Sequence, residues 1–392
     1  MQRPKNEPGV SNLPAVTGRS HVETQDQSTH ETAGARDLPL PDFPFVSVVL
    51  PIRNEVRYIE ECVLRLLDQD YPRDRLEILV IDGNSDDGTR VVLEKLLAQH
   101  GEARLRVLDN PARTVPTGLN SGIRAARGEV IVRIDGHTVP ARNYISASVA
   151  SLMRSGATNV GGIVDPIGDS PFGKAVALAT KHPLGVGDAK FRTGGTAGDV
   201  DTVPFGAFRR EVFERVGLFD ESLVRNQDYE MNIRIRKSGG RVHLDPSIAF
   251  TYTPRGSITS LWRQYFQYGW WRVETARRHP TSFKWRQIIP PSFVAALLVL
   301  ALIAPFGALA PLPFVALTTI YLSTVLVIAA RVAKDHTSPI LVALAFMTIH
   351  IAWGSGFLLN VVSFGNFPYR AGRPRVPVLQ ASAPVTELES SG

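Results

Sequence analysis

Leu76-Glu77-Ile78-Leu79-Val80-Ile81-Asp82-Gly83-Asn84-Ser85-Asp86-Asp87-Gly88 decides the fold. A short aliphatic run stops abruptly at a cluster of Asp, Asn, Ser and Gly, which reads as a buried strand ending in a polar turn. Thr89–His100, directly after it, has a helical period. Upstream, Phe45–Pro51 is a second β-branched run closed by proline, and Glu55–Asp68 places Ile59, Val63, Leu66 and Leu67 at helical spacing. Downstream come a strand at Leu105–Leu108, a helix at Thr117–Arg127 and a strand at Val130–Ile134, broken by Asp135-Gly136-His137. Strands alternating with helices at this spacing predict an α/β fold with a parallel sheet covered on both faces. In such sheets ligands bind beyond the carboxyl ends of the strands. The polar clusters Arg53-Asn54-Glu55, Asp82–Asp87 and Asp135–His137 should therefore converge.

Residues 140–255 are mixed. Gly161–Ile163 and Val200–Val203 read as short strands, Thr193–Gly198 as a glycine-bearing loop, Arg210–Val216 as a short helix and Asn226–Ser238 as a polar helix. Residues 1–43 are rich in Ser, Thr, Gln, Pro, Gly and charge; such a segment buries too little surface to offset its ordering entropy and is expected to be a disordered tail with no signal peptide. The single cysteine, Cys62, can form no internal disulfide and sits in an apolar helical pattern, so it is expected to be a buried small hydrophobe.

The 392 residues carry a formal net charge of +6, a balance that suits nucleic acid, anionic lipid or phosphate-bearing ligands alike, so the position of the charges must decide. Basic and aromatic residues interleave over 255–287, which holds Trp262, Trp270, Trp271 and Trp285 among Arg263, Arg272, Arg277, Arg278, Lys284 and Arg286. Then Gln287–Ala330 and Thr337–Tyr369 contain no charged residue, and each exceeds the roughly 20 residues needed to cross a bilayer. The expected partner is therefore a membrane and not a nucleic acid. Tryptophan beside arginine suits the headgroup layer, so 255–287 is expected to be an amphipathic interfacial segment. Transmembrane helices are expected over 288–365, in two or three spans at about 289–309, 313–332 and 340–362, followed by a tail at 366–392. Three spans conflict with the positive-inside rule, because they place Arg370, Arg373 and Arg375 on the face opposite the catalytic part.

Three constellations carry chemistry. Asp135 and His137, two residues apart at a strand end, can reach one divalent cation, Mg2+ or Mn2+, the latter tolerating imidazole; the blander reading is a capping turn. Asp82, Asp86 and Asp87 concentrate carboxylates that accept from nucleoside N–H and hydroxyl donors, or that cap the Thr89 helix. Asp228, in Gln227-Asp228-Tyr229-Glu230, is a candidate general base, or a helix N-terminal acid favoured by the macrodipole. A Rossmann oxidoreductase is excluded, because the turn after the first strand is Pro51-Ile52-Arg53-Asn54-Glu55-Val56 and not Gly-x-Gly-x-x-Gly.

The ordered set Pro51–Glu55, Asp82–Thr89, Leu119-Asn120-Ser121-Gly122 before Ala126-Arg127-Gly128-Glu129, Asp135-Gly136-His137 and Gln227-Asp228 resembles family 2 glycosyltransferases of the GT-A fold over about residues 45–250. It is most similar to bacterial exopolysaccharide enzymes of the succinoglycan glucosyltransferase type. The resemblance implies a GT-A catalytic domain over 44–254 and an inverting transfer of a hexose from a nucleotide-diphospho-sugar, UDP-glucose as the guess, to a lipid-linked acceptor. It implies Asp228 as catalytic base, Asp135 and His137 at a divalent cation, and Pro51, Asn54, Glu55, Asp82, Asn84, Asp86 and Asp135 around the donor nucleotide. The Gly194–Gly198 and Pro204–Gly206 segments would face donor sugar or acceptor. The expected setting is the cytoplasmic (inner) membrane, multi-pass, with the catalytic domain in the cytoplasm and polysaccharide-assembly proteins as partners. Two departures matter. His137 stands where the family's Asp-x-Asp motif ends, which leaves room for a non-catalytic membrane scaffold of the same fold. Trp270 stands where processive members carry the arginine of Gln-x-x-Arg-Trp, which predicts addition of a single sugar.

Overall fold

The computed structural model describes residues 40–101, 104–334 and 336–363; the tails expected at 1–43 and 366–392 lie wholly or almost wholly outside them. The first half alternates as read: β1 (Val46–Ile52), α1 (Ile59–Leu67), β2 (Leu76–Asp82), α2 (Thr89–His100), β3 (Leu105–Asp109), α3 (Val115–Ala125) and β4 (Val130–Arg133). The chain continues through β5 (Thr138–Pro140), α4 (Tyr144–Ser155), β6 (Asn159–Pro166), α5 (Pro171–Lys181), α6 (Pro183–Val186), α7 (Lys190–Thr193), β7 (Gly198–Asp199), β8 (Ala207–Arg209), α8 (Glu211–Val216), α9 (Gln227–Lys237) and β9 (Val242–Tyr252). Four long helices close it: α10 (Ile258–Arg278), α11 (Ile289–Ile303), α12 (Leu312–Val332) and α13 (Pro339–Val362).

One sheet runs in the order β3-β2-β1-β4-β8-β6-β9-β5, with β7 beside β9. Its two faces follow from residue parity. Val46, Val48 and Leu50 of β1 pack under α1, α2 and α4, while Val49 of β1 and Leu79 and Ile81 of β2 pack under α3 and α9. Helix α3 sits especially close to the sheet at Gly122, where a Cβ would lie 2.4 Å from Val49 Cγ1. Thr114 caps this helix by accepting the Thr117 N–H, and Pro116 occupies its first turn.

Two expectations are corrected. The sheet is mixed, not parallel. β1 to β4 are parallel, but β8 runs antiparallel to β4 and β6, and β5 antiparallel to β9. The Asp135–His137 turn carries the chain from β4 to β5 at the far edge of the sheet, and β8 comes back beside β4, in the opposite direction, only after α4, β6 and α5 to α7. Val200–Val203 is not a strand. β7 stops at Asp199, and Val203 is buried as a loop residue over Gly161, whose missing Cβ would lie 2.5 Å from it. Val200 still donates its N–H to the Val242 carbonyl of β9, but the rest of the run serves packing at Val203 and forms no strand.

A third core joins α5, α10, α12 and α13, built on Val176, Leu261, Tyr265, Val342 and Phe346. This changes the picture of 255–287. Trp270 is 1% exposed and Arg272 is buried, so the middle of α10 is a packing surface; Trp262 and Trp285 do face outward. Trp285–Phe306, Leu312–Val332 and Pro339–Val362 are each long and apolar enough to cross a membrane.

Candidate active site

The site is built at the carboxyl ends of β1, β2 and β4, as the strand alternation requires. Register places Ile52 beside Asp82 and Val49 beside Arg133, so the three segments that follow these strands emerge together. Asn54 and Asn84 take left-handed backbone angles (φ 58° and 53°), which asparagine tolerates better than most side chains. The first two turns then interlock. Asn54 donates to Asp86 at 2.8 Å and accepts from the Asp86 N–H at 3.0 Å, and Ser85 Oγ accepts the Asn54 N–H. Asp82 is buried and accepts from Ser85 Oγ at 2.6 Å. Asp87 accepts from both the N–H and the hydroxyl of Thr89 and from the Val56 N–H, so it ties the start of α2 to the first turn. Pro51 lies inside the sheet against α3, a Cβ on Gly118 standing 3.1 Å from its own Cβ.

The third turn folds directly onto the first. A Cβ on Gly136 would lie 2.7 Å from Ile52 Cγ2 and 3.3 Å from Glu55 Cγ, so this position admits no side chain without displacing the turn. That contact brings His137 Nδ1 to 3.0 Å from Glu55 Oε1. Burial opposes protonation of His137, but the Glu55 bond and charge, with Asp135 behind them, outweigh it and hold the imidazole above its ordinary range. With Nδ1 engaged, Nε2 is the nitrogen available to a cation.

Arg133, at the end of β4, is 4% exposed and joins the two candidate catalytic carboxylates. Its Nε and Nη2 donate to Asp135 Oδ1 at 3.3 and 3.0 Å, and its Nη1 donates to Asp228 Oδ1. The guanidinium also lies over the Phe205 ring, 5.5 Å from its centroid. Asp228 is the second residue of α9, turned inward by Asn226 at φ 63°. Burial pushes its carboxyl up to about 6; Arg133 pulls the other way and Asp135 adds to the rise. A carboxylate in that range is suited to accept a proton near neutral pH.

The sequence-selected residues thus form two joined groups. Asn54, Asp82 and Asp86 interlock through Ser85, with Asn84 in the same turn, while Asp135 and Asp228 gather around Arg133 and His137 lies two residues after Asp135. Glu55 links the groups, because its N–H donates to Thr89 Oγ1 while its side chain holds His137. Arg133 and Phe205 as partners of Asp228 were not singled out. The signal for Arg133 was available: a lone arginine closes the aliphatic strand Val130-Ile131-Val132, and a charge there demands a partner.

The donor set fits a divalent cation shared with a substrate. Asp135 and His137 offer one carboxylate and one imidazole, a pair that Mn2+ accepts and that leaves most of its coordination to other oxygens. Among the described residues no group of three or more His, Cys, Asp or Glu side chains is placed to hold a metal alone. Elsewhere, Cys62 is fully buried and its thiol is pushed up to about 12 by burial, which leaves it inert.

Comparison with known proteins agrees with this geometry. Residues 47–217 match the profile of "Glycosyl transferase family 2". The chain is 30% identical over 321 residues to the "Succinoglycan biosynthesis protein ExoA" of Rhizobium meliloti, covering 81% of this chain and 95% of that one. It is 25% identical over 334 residues to a dolichyl N-acetyl-α-D-glucosaminyl phosphate 3-β-D-2,3-diacetamido-2,3-dideoxy-β-D-glucuronosyltransferase of Methanococcus voltae, covering 83% and 99%. Among solved structures, a mannosyltransferase of Pyrobaculum calidifontis in complex with GDP-Man and Mn2+ superposes with a TM-score of 0.59 at 23% identity, covering 83% of this chain and 90% of that one, a likeness of fold.

Proposed function

The chain belongs to glycosyl transferase family 2, and on that premise we propose that it moves a single hexose, with inversion, from a nucleotide-diphospho-sugar to a lipid-linked acceptor at the cytoplasmic face of the cell membrane. It is a glycosyltransferase of polysaccharide or lipid-linked glycan biosynthesis. UDP-glucose is the proposed donor and polysaccharide-assembly proteins are the proposed neighbours.

The observation that carries the reading is the line Asp135–Arg133–Asp228, with Asp228 held near neutrality. In the proposed reaction the acceptor hydroxyl oxygen forms a bond to the anomeric carbon as the bond to the diphosphate oxygen breaks. Asp228 takes the hydroxyl proton. A diphosphate leaving group needs no proton; it needs its charge neutralised, which a divalent cation on Asp135 and His137 would supply. Arg133 keeps Asp228 ionised and aimed. Asn54, Asp82, Asn84 and Asp86 form the edge proposed to receive the nucleoside, while Glu55 acts through His137. Pro51 is proposed to shape this edge through the backbone of β1.

The test is donor turnover by detergent-solubilised protein, using a panel of nucleotide sugars with Mn2+, Mg2+ or chelator and membrane lipid as acceptor. Metal-dependent passage of one sugar into the lipid fraction is expected, with Asp228→Asn reducing it by orders of magnitude. No turnover of any donor by folded protein would favour the scaffold.

A further inference from the structure

We propose that only α11 and α12 enter the bilayer, as a hairpin that leaves on the face it entered, and that α13 returns to lie against the catalytic domain, so the C-terminal tail stays on the catalytic side. This rests on the membrane association already proposed and settles how many segments cross.

Exposure separates the three apolar helices. Along α11 and α12 the outward surface grows toward their connection, where Leu302, Phe306 and Leu309 are 72%, 85% and 74% exposed. The connection itself, Ala304-Pro305-Phe306-Gly307-Ala308-Leu309-Ala310-Pro311, has no polar side chain. A bare apolar surface of this kind calls for hydrocarbon. The reach is adequate, because the 21 residues of α12 span about 31 Å at 1.5 Å per residue, against a core of about 30 Å. Helix α13 is different: from Leu341 to Leu358 no residue is fully exposed, because α5, α10, α11 and α12 surround it.

The neighbours of α13 fix its level. Near its first half, Phe346 meets the His182 ring at 5.8 Å, and His350 Nε2 lies 2.7 Å from the carbonyl oxygen of Leu184 in α6. At its last turn, Asn360 donates to the Trp270 carbonyl and to Glu274 of α10, and Arg277 donates to the Asn360 carbonyl. Between them the backbones nearly touch: a Cβ on Gly356 would lie 2.1 Å from the Phe266 carbonyl oxygen, and one on Gly269 would lie 2.0 Å from that of Trp353. Helix α10 cannot itself be a crossing segment. Tyr252, just before it, accepts from Arg192; Gln267 accepts from Arg225; Arg278, its last residue, pairs with Asp220; and beyond it His279 lies 3.0 Å from Glu230. A helix pinned to the catalytic domain before, along and after its length does not cross, and α13 is fastened beside it. Carrying α13 across would also drag Glu274 and Arg277, bonded to Asn360, toward hydrocarbon, where charges are costly.

Charge agrees. Lys284 and Arg286 precede α11, pairing with Asp201 and Asp188 of the catalytic domain, and Arg331 and Lys334 follow α12. Both feet of the hairpin are basic. With α13 returned, Arg370, Arg373 and Arg375 of the sequence fall on the same side, and the conflict with the positive-inside rule disappears.

The experiment is sidedness labelling of the full chain with a membrane-impermeant maleimide, in inside-out vesicles and in intact spheroplasts. Buried Cys62 serves as the silent background. Single cysteines are introduced at Arg53, Thr337 and Ser382. Alkaline carbonate extraction comes first, and release of the protein by carbonate overturns the membrane reading itself. With the protein retained, Arg53→Cys, Thr337→Cys and Ser382→Cys should all label in the same preparation, and none in the other. Labelling of Ser382→Cys opposite to Arg53→Cys means that α13 crosses and overturns the hairpin, as does labelling of Thr337→Cys opposite to Arg53→Cys.

Discussion

Replacing Arg133 by methionine tests the electrostatic core of the site. The guanidinium is 4% exposed and donates to Asp135 at 3.0 and 3.3 Å and to Asp228, while methionine keeps most of the volume and none of the charge. Two consequences follow. Breaking a buried ion pair from one side costs about 3–5 kcal/mol, because the carboxylates left behind lose their partner. The protein avoids part of that cost by protonating one carboxylate. Asp228 already stands near 6 through burial and the neighbouring Asp135 charge, and Arg133 is the group that opposes the rise. Without it the Asp228 carboxyl moves further up. A general base must be deprotonated, so the acid limb of kcat/KM, which reports the free enzyme, should lie near pH 6 in the parent and at least about one pH unit higher in Arg133→Met. The assay is donor-to-lipid transfer between pH 5 and 9 at fixed Mn2+, with thermal unfolding beside it. Arg133→Lys should restore part of the limb, since it returns the charge without the fork. An acid limb unmoved in a folded Arg133→Met protein would refute the coupling and remove Asp228 from the role of base.

Three further outcomes are expected. Glu55→Gln removes the charge that orients and raises His137, so Mn2+ binding in the presence of a nucleoside diphosphate should weaken about 10–100-fold by calorimetry, the usual cost of losing a partner behind a metal ligand; an unchanged isotherm would separate His137 from the metal. Gly122→Ala forces a Cβ to within 2.4 Å of Val49 Cγ1 and 2.7 Å of Ile81 Cδ1, an overpacking worth about 1–3 kcal/mol, and should lower the midpoint of thermal unfolding while leaving the acid limb in place. Cys62→Ala should leave transfer nearly intact, and native protein should resist thiol alkylation until unfolded, because the thiol is fully buried and pushed up to about 12.

The two halves of the catalytic domain differ in how much their sequence discloses. Through β4 each strand is an aliphatic run closed by a polar turn, and each helix has an apolar stripe; local pattern and tertiary environment agree, so elements and order are legible. Beyond β4 they part. Val200–Val203 has strand composition but is held by one face against Gly161, and β8, only three residues long, finds its ladder through neighbours distant in sequence. Pairing direction is set by how loops reverse, and periodicity carries no information about that. The same division runs through the site. Asp82, Asp135, His137 and Asp228 stand out because polar residues crowd at strand and helix ends. Arg133, a lone charge closing an aliphatic strand, signals only that it needs a partner; which partner appears when Asp228 arrives beside it from 95 positions away.

If His137 serves the proposed cation, its surroundings supply what an imidazole needs in place of the motif's carboxylate. An imidazole is neutral in its ordinary state and serves a cation through one nitrogen only, so it needs a fixed tautomer, which a carboxylate in the same position would not. Here the fixing group is Glu55, and the fixing geometry exists because residue 136 is glycine, whose bare backbone lets the turn settle on Ile52 and Glu55. The three residues form one device distributed over two loops. At the proposed cation site Glu55, in a turn otherwise concerned with the interlocked β1–β2 edge, would thereby acquire a task at the cation. A change at any one of the three should reappear as the same loss of cation affinity, and Glu55→Gln combined with His137→Ala should cost little more than His137→Ala alone.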